Sequence, residues 1–112
     1  MFKRFSLLAA ALAFAALPVS AAEVNNVGLV LAVGKVSANA CRIKIAGANF
    51  AGVCPTAVYQ EVYFTCNSTE GKEFLSIALA ADISERPVRV TSDACSIYGS
   101  SVANVVGVNL ES

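Results

Sequence analysis

Four cysteines are the residues of this 112-residue chain whose type and spacing bear most directly on chemistry: Cys41, Cys54, Cys66 and Cys95. Cysteines form disulfides in oxidising compartments, whereas closely spaced cysteines and histidines bind zinc. The chain has no CxxC spacing and no histidine. We therefore expect two disulfide bonds and no metal site. Four cysteines allow three pairings, and the spacing alone does not select one of them.

Catalytic residues are scarce in this sequence. Without histidine, neither a Ser-His-Asp nor a Cys-His pair can form. Glu70 and Glu73 fall in the first turn of a predicted helix, where negative charge stabilises the helix dipole. Asp93 is typical of a turn. The glycines form no phosphate-binding loop. We expect no catalytic residue, no cofactor and no enzymatic activity.

Residues 1–22 have the pattern of a cleavable signal peptide. Lys3 and Arg4 precede an apolar run that ends in small residues at Ala22. The run is shorter than the roughly 20 residues that a membrane-spanning helix needs, which argues against the alternative of a membrane anchor. We expect cleavage after Ala22, a secreted or periplasmic protein, and a single domain formed by residues 23–112.

The charge of the remaining chain limits its partners. Without the two basic residues of the predicted signal, six basic and eight acidic residues give a net charge of −2. Nucleic acids and anionic membranes are bound by clusters of positive charge, so neither is an expected partner. A domain of about 90 residues has a small core, which exported proteins often reinforce with disulfides.

One helix is predicted, from Thr69 to Ser84. Its apolar residues recur at the spacing of one helical face: Phe74, Ile77, Ala78 and Ala81, with Leu75 and Leu79 beside them. Asn67, Ser68 and Thr69 offer side-chain oxygens to the first turn. Pro87 cannot continue the helix.

Five strands are predicted around this helix, from β-branched content and alternation: Asn26–Ser37, Cys41–Ala46, Ala57–Cys66, Val88–Thr91 and Val102–Leu110. The helix falls between the third and fourth strands. This order is that of the OB-fold, a five-stranded Greek-key barrel. We therefore predict a mainly β protein with one helix and an OB-like barrel.

The second and third strands predict one disulfide. An antiparallel hairpin that buries Ile43 and Ile45 against the apolar face of the third strand sets Cys41 opposite Cys66. Facing residues of neighbouring strands lie within disulfide reach. The hairpin therefore predicts the bond Cys41–Cys66.

The same hairpin predicts an outward-facing surface. In this register Lys44 lies across from Tyr63, and Arg42 faces Thr65. Tyr59 lies nearer the loop on the same face. A tyrosine beside a lysine is either a platform for a ligand or an ordinary solvated sheet face with a cation–π contact.

The segment GKEFLSIALAADISERPV, the later Cys95 and the valine-rich final strand resemble a widespread group of small exported bacterial proteins. That group is similar to the binding subunits of subtilase-cytotoxin and pertussis-like toxins. The resemblance implies an OB-fold, a ring of five copies and recognition of cell-surface glycans. It also implies the second disulfide, Cys54–Cys95, because it places the loops that carry these residues at the same end of the barrel.

Three classes of function stay open, and the absence of histidine weighs against one of them, an exported enzyme. The other two are binding functions. The first is a secreted, toxin-subunit-like module that binds a cell-surface glycan. The second is a periplasmic module that inhibits or stabilises another exported protein. The candidate ligand surface comprises the following residues: Arg42, Lys44, Tyr59, Tyr63 and, from the last loop, Tyr98.

Overall fold

The computed structural model describes residues 22–57 and 60–111. The predicted signal peptide, apart from Ala22, and the candidate Tyr59 lie outside these residues. Within the described ranges, no helix combines the length and the apolar character needed to cross a bilayer.

The described chain is mainly β with one helix, as predicted. In chain order its elements are β1 (Val24–Lys35), β2 (Ala40–Ile45), β3 (Glu61–Thr65), α1 (Thr69–Ser84), β4 (Pro87–Ser92), β5 (Cys95–Ser96), β6 (Gly99–Asn104) and β7 (Gly107–Leu110).

Helix α1 begins and ends where the sequence predicts. The Ser68 hydroxyl accepts a hydrogen bond from the Gly71 backbone N–H at 3.0 Å, which satisfies one free amide of the first turn. The helix ends at Ser84 and is capped by Glu85, whose φ of 55° places it in the left-handed region. The chain then enters β4 directly through Pro87.

The helix packs on the sheet through its small residues. Gly71, Ala78 and Ala81 are buried, and Phe74 lies edge-on to Phe64 of β3 with ring centroids 6.0 Å apart. The prediction for Leu79 is wrong, since this side chain is 42% exposed. The face that the sheet covers is therefore narrower than the apolar stripe in the sequence.

The strands form one curled, mixed sheet in the order β5-β6-β3-β2-β1-β4-β7. Strand β1 belongs to both halves of it: Val24–Leu29 pairs with β4, and Val30–Lys35 pairs with β2. A bulge between Val30 and Ala32 marks the change of partner. Gly28 precedes the bulge, and a Cβ atom there would lie 2.5 Å from the Ala46 carbonyl oxygen. The sheet therefore curls along β1.

The last strand predicted for Val102–Leu110 is interrupted in the structure, since β6 ends at Asn104 and β7 begins at Gly107. Strand β6 pairs in parallel with β3, whereas β7 pairs antiparallel with β4. The ladder breaks at Val105 and Val106 because the chain changes partner there. Strand β6, second in the sheet order, and β7, the last, are thus separated by two residues of chain.

The core lies between the curled sheet and α1. Its largest fully buried side chains include Phe50, Ile43, Ile45, Val62, Val88 and Val90. Two disulfides, Cys41–Cys66 and Cys54–Cys95, complete it, and both pairings are those predicted. These bonds indicate an oxidising environment, extracellular or periplasmic.

The predicted register between β2 and β3 is wrong by two residues. Cys41 pairs with Phe64 and not with Cys66. Cys66 follows the end of β3 and reaches Cys41 diagonally, with the two Cα atoms 5.6 Å apart. A shift of two leaves every side chain on the same face, so alternation cannot detect it. The third strand is also shorter than predicted, since it begins at Glu61.

Candidate functional site

The candidate site is the outer face of β2 and β3. Alternation turns Cys41 and Ile43 inward, so the residues between them point to solvent. We call this surface the Arg42–Tyr63 face. It comprises Arg42 and Lys44 of β2 with Glu61, Tyr63 and Thr65 of β3.

Cross-strand pairs differ from those predicted on this face. Arg42 lies opposite Tyr63, and Lys44 lies opposite Glu61, because the register is shifted by two. Arg42 Nη1 and Glu61 Oε1 are 3.8 Å apart, with 45% and 13% of the two side chains exposed. An exposed ion pair of this kind contributes less than about 1 kcal/mol to folding. It does, however, place a cation and a carboxylate together on the face that carries Tyr63.

Tyr98 joins the face from another element. It lies in the turn between β5 and β6, and its hydroxyl forms a hydrogen bond with Thr65 Oγ1 at 2.5 Å. Its backbone N–H donates to Ser96 Oγ at 3.1 Å, which shapes the turn. Thr65 and Tyr63 occupy alternate positions of β3 and so share its outer side. The structure therefore brings Tyr98 to the face that carries Tyr63.

The hairpin formed by β5 and β6 is bonded to the chain segment that precedes β3. The Cys54–Cys95 disulfide ties its first strand to the loop before β3. The Thr56 hydroxyl also donates a hydrogen bond to the Ser100 carbonyl. The turn that carries Tyr98 is thus fixed at two points, and Ile97 at its tip is 85% exposed.

Sequence reasoning missed two members of the face. Glu61 is not among the residues predicted for this surface, although it is the ion-pair partner of Arg42. Thr65 was assigned only as a neighbour of Arg42. Its alternation with Tyr63 was visible in the sequence, but its bond to Tyr98 depends on β6 lying beside β3.

The chemistry of the face is that of recognition. Arginine and lysine donate hydrogen bonds, a carboxylate accepts them, and tyrosine offers a flat ring with a polar tip. Among the residues that the structure describes, no three carboxylate, cysteine or histidine side chains come together as a metal site would require. A cleft of about 280 Å³ borders the face at Thr65, and Ser68, Glu70 and Asn104 line its polar side.

No protein-family model, curated protein or solved structure matches this chain. Function is therefore inferred from the geometry of the Arg42–Tyr63 face.

Proposed function

We propose that this protein is an exported, non-enzymatic binding module that holds a polyhydroxylated ligand, a cell-surface glycan, on the Arg42–Tyr63 face. The observation that carries the proposal is the hydrogen bond between Tyr98 and Thr65. It holds a second aromatic ring, 38% exposed, on the side of the sheet that already carries Tyr63.

A sugar suits these groups for a physical reason. The C–H face of a pyranose ring packs on an aromatic ring, while its hydroxyls need donors and acceptors around the rim. The ion pair between Arg42 and Glu61 supplies both kinds of group, and hydrogen bonds to charged groups are the stronger ones. Because Glu61 offsets one of the two cations, the face suits a neutral or weakly acidic sugar.

We propose that the fold that presents this face is an OB-like barrel of the toxin-subunit type. In this interpretation β6 and β7 are the two halves of one bent fifth strand, and the residues between them close the sheet. Strand β6 pairs with β3, and β7, which follows β6 in the chain, pairs with β4; this continuity supports the interpretation. The resemblance to toxin binding subunits further proposes a ring of five copies, which a sedimentation mass of the purified protein tests.

A glycan array probed with the purified protein tests the ligand. The informative variants are Tyr63→Ala, which removes the ring, and Arg42→Ala, which removes the guanidinium. Arg89→Ala is the matched control, since Arg89 is also an exposed strand arginine, 47% accessible and paired with a single glutamate, Glu111. We expect the first two variants to lose at least about tenfold in glycan affinity and the control to bind normally.

Two results would contradict the proposal. One is a failure of the folded protein to bind any glycan. The other is an equal loss of affinity in Arg42→Ala and Arg89→Ala, which would show that binding follows overall charge and not this face.

A protein partner is the second candidate, and the exposure of Ile97 favours it. An isoleucine at the tip of a braced hairpin, 85% exposed, is a suitable apolar contact for another exported protein. An Ile97→Asn variant separates the two candidates. It leaves glycan binding unchanged if the ligand is a sugar on the face, and it abolishes capture of a partner that docks on the hairpin.

A further inference from the structure

A second cleft lies away from the Arg42–Tyr63 face, between the bulge of β1 and the C-terminal end of α1. It has a volume of about 460 Å³. Its β1 side is formed by Leu29, Val30 and Leu31. Its helix side is formed by Ala81, Asp82 and Glu85, so apolar walls meet an acidic rim.

The apolar walls are unusually open for this small protein. Leu29 is 47% exposed and Leu31 is 54% exposed. Val27, two residues before Leu29 on the same strand, is 50% exposed. Val27 and Leu29 at alternate positions, with Leu31 at the bulge, thus form a stripe of exposed aliphatic side chains along β1. Such stripes mark sites of interaction when they are contiguous.

The rim carries two carboxylates, and neither forms an ion pair within the described residues. Among residues 22–57 and 60–111 the ion pairs are Arg42–Glu61 and Arg89–Glu111, and neither involves Asp82 or Glu85. The last turn of α1 contains no basic residue. The C-terminal end of a helix also carries the negative end of its dipole, which adds to the two carboxylates.

The edge of β1 beside the cleft is free of strands in the described structure. Strand β4 covers this edge only as far as Leu29, opposite Pro87. Before Pro87 the chain turns away into α1, while β2 occupies the other edge of β1. The cleft therefore lies where β4 leaves β1, and the C-terminal end of α1 forms its opposite wall.

We propose that this cleft binds a lysine or arginine side chain presented by an extended, otherwise apolar segment of a partner protein. The aliphatic stem of such a residue packs between Leu29, Leu31 and Ala81, and its cationic head meets Asp82 and Glu85. The flanking apolar residues of the segment cover the stripe that begins at Val27. The acidic rim repels phosphate groups, which excludes nucleic acids and anionic lipids as occupants.

This site is independent of the proposed glycan function, since it shares no residue with the Arg42–Tyr63 face. A protein that fails to bind glycans can still bind the segment, and the reverse also holds. The two proposals therefore fail separately.

Fluorescence anisotropy with short, capped, labelled peptides tests the site. The probe alternates valine and threonine around one central lysine. A second peptide replaces this lysine with norleucine, which keeps the stem and removes the charge, and a third replaces it with glutamate. We expect the lysine peptide to bind about tenfold more tightly than the norleucine peptide, and the glutamate peptide not to bind.

The protein variant for this test is the double change Asp82→Asn with Glu85→Asn. Asparagine tolerates the left-handed backbone at residue 85, so the helix end is preserved. The matched control is Glu70→Gln with Glu73→Gln, which removes the same charge from the other end of the same helix. We expect only the first pair to reduce affinity for the lysine peptide, by about tenfold, and only at low salt.

Three outcomes would overturn the proposal. Equal binding of the lysine and norleucine peptides would remove the role of the acidic rim. Equal loss of affinity in the two double variants would show a general charge effect. Self-association of the protein that disappears in the Asp82→Asn, Glu85→Asn variant would identify the occupant as another copy of this chain.

Discussion

Gly71, in the first turn of α1, lies so close to Thr65 that a Cβ atom on it would fall 1.8 Å from the Thr65 carbonyl oxygen. The same atom would lie 2.8 Å from the Cα of Cys66. Both neighbours are backbone, so neither can move aside without separating the helix from β3. Gly71 thus sets the distance between α1 and the strand that carries Tyr63.

Replacing Gly71 with alanine should therefore destabilise the fold strongly. We expect the free energy of unfolding to fall by about 3 kcal/mol or more, because the added methyl group must displace backbone. Gly34→Ala is the control, since a Cβ at Gly34 meets no atom within 4 Å. That change should alter stability by less than about 1 kcal/mol. Urea unfolding measures both, and similar losses would refute the close approach at Gly71.

The cap of α1 gives a second prediction. Ser68→Ala removes the oxygen that accepts the Gly71 N–H and should cost about 1 kcal/mol of stability. Ser76→Ala is the comparison, because the Ser76 hydroxyl only donates to the Lys72 carbonyl in mid-helix. Alanine is the better helix former there, so this variant should be neutral or slightly more stable. Thermal unfolding followed by circular dichroism distinguishes the two.

Two buried serines should respond in opposite directions to alanine. The Ser92 hydroxyl is fully buried and has no hydrogen-bond partner among the described residues, whereas the Ser96 hydroxyl accepts the Tyr98 N–H. Burial of an unpaired hydroxyl is unfavourable, so Ser92→Ala should leave stability unchanged or raise it by about 1 kcal/mol. Ser96→Ala should lower stability by a similar amount. A loss in Ser92→Ala equal to that in Ser96→Ala would show that Ser92 is paired.

The two disulfides should contribute similar free energies of stabilisation, but only Cys54–Cys95 should hold the hairpin that carries Tyr98 in place. They close separations of 41 residues for Cys54–Cys95 and 25 residues for Cys41–Cys66. Loop-closure entropy gives roughly 4 and 3.5 kcal/mol for the two bonds. Replacing Cys54 and Cys95 with alanine should also free the hairpin that carries Tyr98. Amide hydrogen exchange checks this, with faster exchange in residues 95–104 expected for that pair of substitutions alone.

The approximate bounds of the helix could be predicted because three local signals agree on it. Ser68 caps the start, the small apolar face runs through Ala78 and Ala81, and Pro87 prevents continuation. Local signals of this kind act within one turn of the chain, so they need no knowledge of the rest of the fold.

The sheet could be predicted only in part because its details depend on distant partners. A shift of two residues between β2 and β3 changes no side-chain direction, so nothing in the sequence separates Phe64 from Cys66 as the neighbour of Cys41. The break at Val105 and Val106 is equally invisible, because a valine-rich run is consistent with one long strand. The break is required because the chain has to leave its pairing with β3 and then pair with β4.

The candidate surface, like the sheet, could be predicted only in part. Alternation alone placed Arg42 and Tyr63 on the outside of the sheet. The meeting of Tyr98 with Thr65 requires the parallel pairing of β3 with β6, which joins residues far apart in sequence. A site assembled across a parallel pairing leaves no local pattern for the sequence to reveal.

The Cys54–Cys95 bond imposes an order of events on maturation. A chain that emerges from its N-terminus presents Cys41, Cys54 and Cys66 to oxidants before Cys95 is available. Cys41 can then find its native partner early, whereas Cys54 has only non-native partners until residue 95 emerges. Efficient maturation thus requires either that oxidation is slower than emergence or that a thiol–disulfide exchange catalyst corrects early mispairing.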